Sequence, residues 1–269
     1  MGTPISDYGT GNDGARENWI ADRLKELPEG FTILDAGAGD QHHKKLCEHL
    51  KYTSQDIAQY DGKGDGKGLQ TGEYNFGEID IVSDITSIPR DDCSFDSILC
   101  SEVLEHVVHP DLVIKELSRL LKPGGILILT APFCSITHFA PNHYATGFNL
   151  YWYKAVLAEH KLVARSTIVY GNYFEYLAQE LHRLPSVAQA YCQSPVILEK
   201  DLQSVANVVS LLERFGSSPN NKSWELLNFG SLIVAEKENN EPFNFSLSAN
   251  LQPEVASSTN PELPTKPNV

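Results

Sequence analysis

Ile33-Leu34-Asp35-Ala36-Gly37-Ala38-Gly39-Asp40 is the stretch that decides how this chain folds. A short apolar run ends in an acid, and two glycines two apart follow at once. A strand that breaks into such a loop lets a ligand lie against bare backbone, because glycine has no Cβ to hold it off. The acid at the strand tip can meet a cation or hydroxyls of the same ligand. That geometry belongs to a nucleotide-type cofactor site in an open α/β sheet, where ligands sit beyond the carboxyl ends of the strands. A G-x-G alone is common, so its surroundings must make the case.

Working outward, residues 15–27 read as a helix, with Trp19, Ile20, Leu24 and Leu27 on one face at helical spacing. Residues 31–34 form a first strand and 41–50 a helix after it. Short strands are expected at 52–55, 79–82 and 95–100. An amphipathic helix at 111–121 is stopped by Lys122-Pro123-Gly124-Gly125, and a fully apolar strand follows at 126–130. Further on, 149–160 is helical, 162–169 a strand, 173–184 and 196–215 helices, and 230–235 a last strand. The glycine-rich stretch 61–72 departs from a calcium loop at its third and twelfth positions and reads as an ordinary surface loop. Strands alternating with helices imply a doubly wound sheet.

The expected organisation is a flexible N-terminal segment or flap over 1–14, one domain over 15–237, and a disordered tail over 238–269 rich in Asn, Ser, Pro, Thr and Glu. Within the domain, 132–152 forms a lid loop and 172–215 a helical insertion. The net charge of −14 over 269 residues repels nucleic acid and anionic lipid, so neither is an expected partner. No apolar run reaches membrane-spanning length, and no basic-then-apolar leader opens the sequence. Five scattered cysteines form no zinc or disulfide framework, which fits a reducing cytoplasm.

Polar residues stand at four successive strand ends: Asp35 with Gly37 and Gly39, then Asp56, then Asp84 with Ile85, then Ser101-Glu102. Singly, each acid could cap a helix or turn a loop. Asp56 lies where an acid bonds the two ribose hydroxyls of a nucleoside. Asp84 and Ile85 lie where a side-chain acceptor and a backbone group hold an adenine edge.

With these residues in view, the chain resembles a class I S-adenosylmethionine-dependent methyltransferase of the small-molecule group. The carrying stretches are Ile33 to Gly39, Ser83-Asp84-Ile85, Phe95 to Leu99, Ser101-Glu102-Val103-Leu104-Glu105-His106 and Leu121 to Gly125. The resemblance implies a Rossmann-like sheet of seven strands, the last antiparallel, with S-adenosylmethionine as cofactor. It also implies that Gly37 and Gly39 pass along the methionine portion, Asp56 binds ribose, Asp84 binds adenine, and the turn at Ser101 closes over the methionine end. One departure is Gln41, where many members carry a third glycine. The same gap counts against a nicotinamide-dependent oxidoreductase, the rival reading; a non-catalytic cofactor-binding module is a third.

Methyl transfer from a sulfonium needs alignment, exclusion of water and sometimes removal of a proton. Glu102 and His106 lie one turn apart, and His106 has the intrinsic pKa of a general base. The stretch 132–148 is dense in aromatics, and His138, His143 and Tyr144 are expected to face the acceptor. The two histidines have no evident carboxylate partner there, so no metal site is expected. Arg16 is assigned to the cofactor's carboxylate. The acceptor is expected to be a small metabolite, natural product or sugar, methylated on oxygen or nitrogen; the oligomeric state stays open.

Overall fold

The computed structural model of the protein describes residues 5–193, 196–239 and 254–256. Over these residues the chain forms two compact units. One comprises residues 18–168, 230–239 and 254, the other residues 5–17, 169–193, 196–229 and 255–256.

The strands are β1 (Thr32–Ala36), β2 (Lys51–Asp56), β3 (Ile81–Val82), β4 (Phe95–Ser101), β5 (Leu121–Pro132), β6 (Leu162–Tyr170), β7 (Gly230–Lys237) and a three-residue β8 (Glu254–Ala256), with β1 to β5 and β7 wholly in the first unit. They lie in the order β3-β2-β1-β4-β5-β7-β6-β8. β1 pairs in parallel with β2 and β4, and β4 with β5, whereas β7 runs antiparallel to β5. The seven strands expected are all present. β8 is an addition within the stretch expected to be disordered; most of that stretch lies outside the described residues.

The period of two along a strand sends alternate residues to opposite faces. On β5, Leu127, Leu129 and Ala131 join Leu34, Ile98 and Cys100 under α2 (Pro110–Leu120) and α3 (Leu150–Glu159). Ile126 and Ile128 instead join Ile33 and Leu99, covered by Ile20 and Leu24 of α1 (Asn12–Glu26). Burial on both faces explains why the strand is apolar throughout.

Three expectations are corrected. Residues 41–50 do not form an α-helix; only His42–Cys47 coil, as a 3₁₀ helix. Gln41 before them is left-handed at φ 59°, and its amide donates to the carbonyls of Phe76 and Glu78. Those bonds fix a turn where a helix would need αR backbone. Residues 5–11 are not a loose flap, because in the second unit Ser6 donates to Glu213 at 2.8 Å and Gly9 is buried against Ala178. The helix at 173 runs on to Tyr191 through Pro185, giving α4 (Tyr173–Tyr191), and α5 (Glu199–Gly216) packs on it through Ala178, Val205, Val209 and Leu212.

Candidate active site

The strand ends of the first unit are cross-linked before any ligand is considered. The amides of Gly37 and Ala38 both donate to the carbonyl of Gln55 at 2.9 Å, tying the β1 turn to β2. Asp56 accepts from the Gly39 amide at 2.9 Å on one oxygen and from the Ala58 amide at 2.8 Å on the other. Each carboxylate oxygen keeps lone-pair capacity for a ligand. Asp84 receives the amide and hydroxyl of Thr86 on a single oxygen, at 2.8 and 2.7 Å. Glu102 sits at φ 54°, and its amide donates to Thr130, whose hydroxyl donates back to the Glu102 carboxylate at 3.0 Å. A non-glycine residue held left-handed is a mark of a site where the backbone has a task.

These ends open into one cavity of about 390 Å³. Its floor and one wall are Gly37, Gly39, Asp56, Asp84, Ile85 and Glu102. Gly37 and Gly39 have φ of 75° and 54°, and a Cβ on either would strike Val103 or the Tyr74 hydroxyl. The glycines are therefore required by backbone shape and by space together. A slot that sets bare glycine backbone beside two oriented carboxylates fits an adenosine bearing a hydroxyl pair, an exocyclic amine and a charged amino-acid end.

The facing wall is aromatic. Phe139 lies nearly parallel to both Tyr60 (4.5 Å, 24°) and His106 (5.2 Å, 19°), and Tyr74 meets Tyr60 and Phe76 edge-on. Aromatic faces favour a cationic sulfonium. The wall is made by two loops joined through backbone: Leu69 donates to Thr137, Phe139 to Leu69, and Asp65 to Ala140, each at 3.0 Å. The glycine-rich stretch 61–72 is thus half of the cover rather than an ordinary surface loop. Tyr60, Tyr74 and Phe76, which line the cavity, were not foreseen. Their signal was three aromatics bracketing a run of glycines.

Of the thirteen residues singled out from sequence, eight line the cavity: the six above with His106 and Tyr144. Asp35 does not. It is 3% exposed, receives the Tyr52 hydroxyl at 2.7 Å, and burial raises its carboxyl pKa. Ser101 bonds Thr130 across β4 and β5 at 2.9 Å. His138 and His143 lie in the cover behind His106, with ring centroids 4.6 and 6.0 Å from it. Arg16 belongs to the second unit, with its guanidinium on Asp13 and Glu17. His106 donates Nδ1–H to the Asn142 carbonyl at 2.6 Å. Burial and the neighbouring His138 push its pKa down to about 4, which makes it a poor proton acceptor at neutral pH.

Residues 34–129 match the family described as a methyltransferase domain. Over these residues the chain is similar to S-adenosylmethionine-dependent methyltransferases, enzymes whose cofactor is S-adenosylmethionine. Among curated relatives, the ubiquinone biosynthesis O-methyltransferase of Maricaulis maris is 33% identical over 109 residues, covering 37% of this chain and 40% of that protein. The ubiquinone/menaquinone biosynthesis C-methyltransferase of Laribacter hongkongensis is 32% identical over 104 residues, covering 39% of each. The chain thus spans about 40% of the length of these relatives. Among solved structures, the Haemonchus contortus phosphoethanolamine N-methyltransferase 2 complex with phosphomonomethylethanolamine and S-adenosylhomocysteine aligns at 15% identity and TM-score 0.48, covering 84% of this chain and 53% of that one.

Proposed function

We propose that this protein transfers a methyl group from S-adenosylmethionine to an oxygen or nitrogen of a small ring-bearing acceptor. The observation that carries the reading is the cavity itself, with glycine backbone and carboxylates on one side and a ring-stacked wall on the other. The bound cofactor supplies an activated methyl on a sulfonium. Asp56 holds its ribose hydroxyls, Asp84 and Ile85 its adenine edge, and Gly37 and Gly39 give its amino-acid end room.

Phe139, Tyr60 and Tyr144 define where a flat acceptor lies, and the cover excludes water from it. His106 acts here as a neutral wall rather than as the base. Alignment dominates this chemistry, so an acceptor hydroxyl that is already acidic suits the site best. Two relatives bear the names of an O-methyltransferase of ubiquinone biosynthesis and a C-methyltransferase of ubiquinone/menaquinone biosynthesis, which supports a quinone-like ring acceptor for this chain. The acidic surface counts against a polymeric, anionic substrate.

The test is incubation of the purified protein with S-adenosylmethionine and a panel of phenolic, hydroxyquinone, amine and sugar acceptors, followed by mass spectrometry. S-adenosylhomocysteine formed together with a singly methylated ring acceptor supports the reading. Tight cofactor binding without turnover on any member would favour a non-catalytic cofactor-binding module instead.

A further inference from the structure

Three lone-pair donors converge behind the aromatic wall. Glu105 is 1% exposed, and its Oε1 lies 3.8 Å from His106 Nε2 and 3.9 Å from His138 Nε2. Both separations exceed a hydrogen bond. Nδ1 of His106 is 2.6 Å from the Asn142 carbonyl, and Nδ1 of His138 is 2.9 Å from the Ile136 carbonyl. A carbonyl oxygen only accepts, so Nδ1 carries a proton on each ring, and Nε2 is the nitrogen that each ring turns toward the carboxylate. A backbone carbonyl holding one ring nitrogen while the other is left free is how proteins orient metal-binding imidazoles. Glu105 supplies the carboxylate that the sequence reading did not find beside these histidines.

His143 completes a trio of rings whose centroids are 4.6, 4.7 and 6.0 Å apart. A buried carboxylate facing two imidazole nitrogens is a place where a cation is favoured.

We propose that Glu105, His106 and His138 bind a divalent transition-metal ion of the zinc type, which fastens the cover to the turn after β4. Two imidazoles and one carboxylate select zinc-like ions over magnesium or calcium. The three donor atoms lie within 4.8 Å of one another. Small rotations of the rings and the carboxylate bring them to ligand distances of about 2.0–2.2 Å. Glu105 and His106 come from the turn, and His138 comes from the cover thirty-odd residues later. The ion therefore bridges two segments that backbone bonds already bring together, since Tyr144 and Ala145 donate to the Glu105 carbonyl at 2.8 and 3.2 Å. His106 is shared with the cavity wall, but the proposal does not depend on methyl transfer, because ion uptake is read without cofactor or acceptor.

The experiment uses the full chain, stripped with a chelator and titrated calorimetrically with zinc chloride alone. Cobalt chloride follows, read by visible absorption for tetrahedral coordination. One saturable equivalent of zinc is expected, together with slower proteolysis within residues 133–147. His138→Ala weakens zinc binding by at least about tenfold and abolishes the proteolytic protection. Glu105→Gln has the same effect. His138 is partly exposed, at 23%, so its variant keeps the test decisive should Glu105→Gln fold poorly. His160→Ala, a change at a histidine outside the trio, leaves uptake intact. No saturable uptake by the parent protein, equal uptake by His138→Ala, or loss of uptake in His160→Ala overturns the proposal.

Discussion

Replacing Gly37 by alanine tests the cofactor turn most directly. Gly37 sits at φ 75°, and its amide is held by the Gln55 carbonyl at 2.9 Å, so the backbone is not free to relax toward negative φ. A left-handed alanine costs roughly 1–2 kcal/mol more than glycine. The new Cβ would lie 3.0 Å from Val103 Cγ1 and closer still to Cγ2. Forcing that contact adds about 1–3 kcal/mol of overpacking, because β-branched Val103 has few rotamers to escape into. Stiffening of the unfolded chain returns about 0.4–1 kcal/mol. The net expectation is a destabilisation of about 1–5 kcal/mol, which for a chain of this size lowers the melting temperature by roughly 2–20 °C. Val103 also lines the cavity, so its displacement should weaken S-adenosylmethionine binding beyond the loss in stability. Thermal unfolding and titration calorimetry on G37A, V103A and G37A/V103A separate the contributions. The double variant should recover the overpacking share but not the backbone share. If G37A melts within about 1 °C of the parent and binds cofactor equally well, the reasoning about this turn is wrong.

Asp84→Asn keeps the Thr86 bonds but removes the charge, and should weaken cofactor affinity several-fold with little change in melting temperature; calorimetric titration checks both. Asp35→Asn should leave stability unchanged or raise it at neutral pH. Burial already disfavours the charged form there, so the charge detracts from folding above the carboxyl's raised pKa; urea unfolding at pH 7 gives the sign. Phe139→Ala removes the ring shared by Tyr60 and His106 and should raise the acceptor KM more than it lowers cofactor affinity, a split that steady-state kinetics resolves. Arg119→Ala strips Glu116, Asp92 and the Ile88 and Arg90 carbonyls of one guanidinium, and should cost about 2–3 kcal/mol in denaturant unfolding with cofactor affinity unchanged.

The sheet was legible because its signals are local. Ile126 to Thr130 is apolar at every position, and only a strand buried on both faces needs that. The carboxylates at Asp56 and Asp84 were legible for the same reason, each following directly on a strand. What stayed hidden depends on partners distant in sequence. The turn at Gln41 looked helical until the carbonyls of Phe76 and Glu78 were seen to hold its amide. The glycines between 61 and 72 announced unusual backbone, and Gly62, Gly64, Gly66, Gly68 and Gly72 all have positive φ. For Gly64 and Gly68 the purpose, close approach to Ala140 and Thr137, is written in another loop altogether. The glutamate between His106 and His138 was hidden likewise, since its neighbour in space is a histidine more than thirty positions along.

The pairing of residues 65–70 with 137–140 has a kinetic consequence. Two ribbons sewn edge to edge cannot swing apart one at a time; any doorway for an incoming molecule requires the whole hem to lift. Amide protons of Leu69 and Phe139 should then exchange with solvent in the same slow event, and entry should be paced by that event rather than by diffusion.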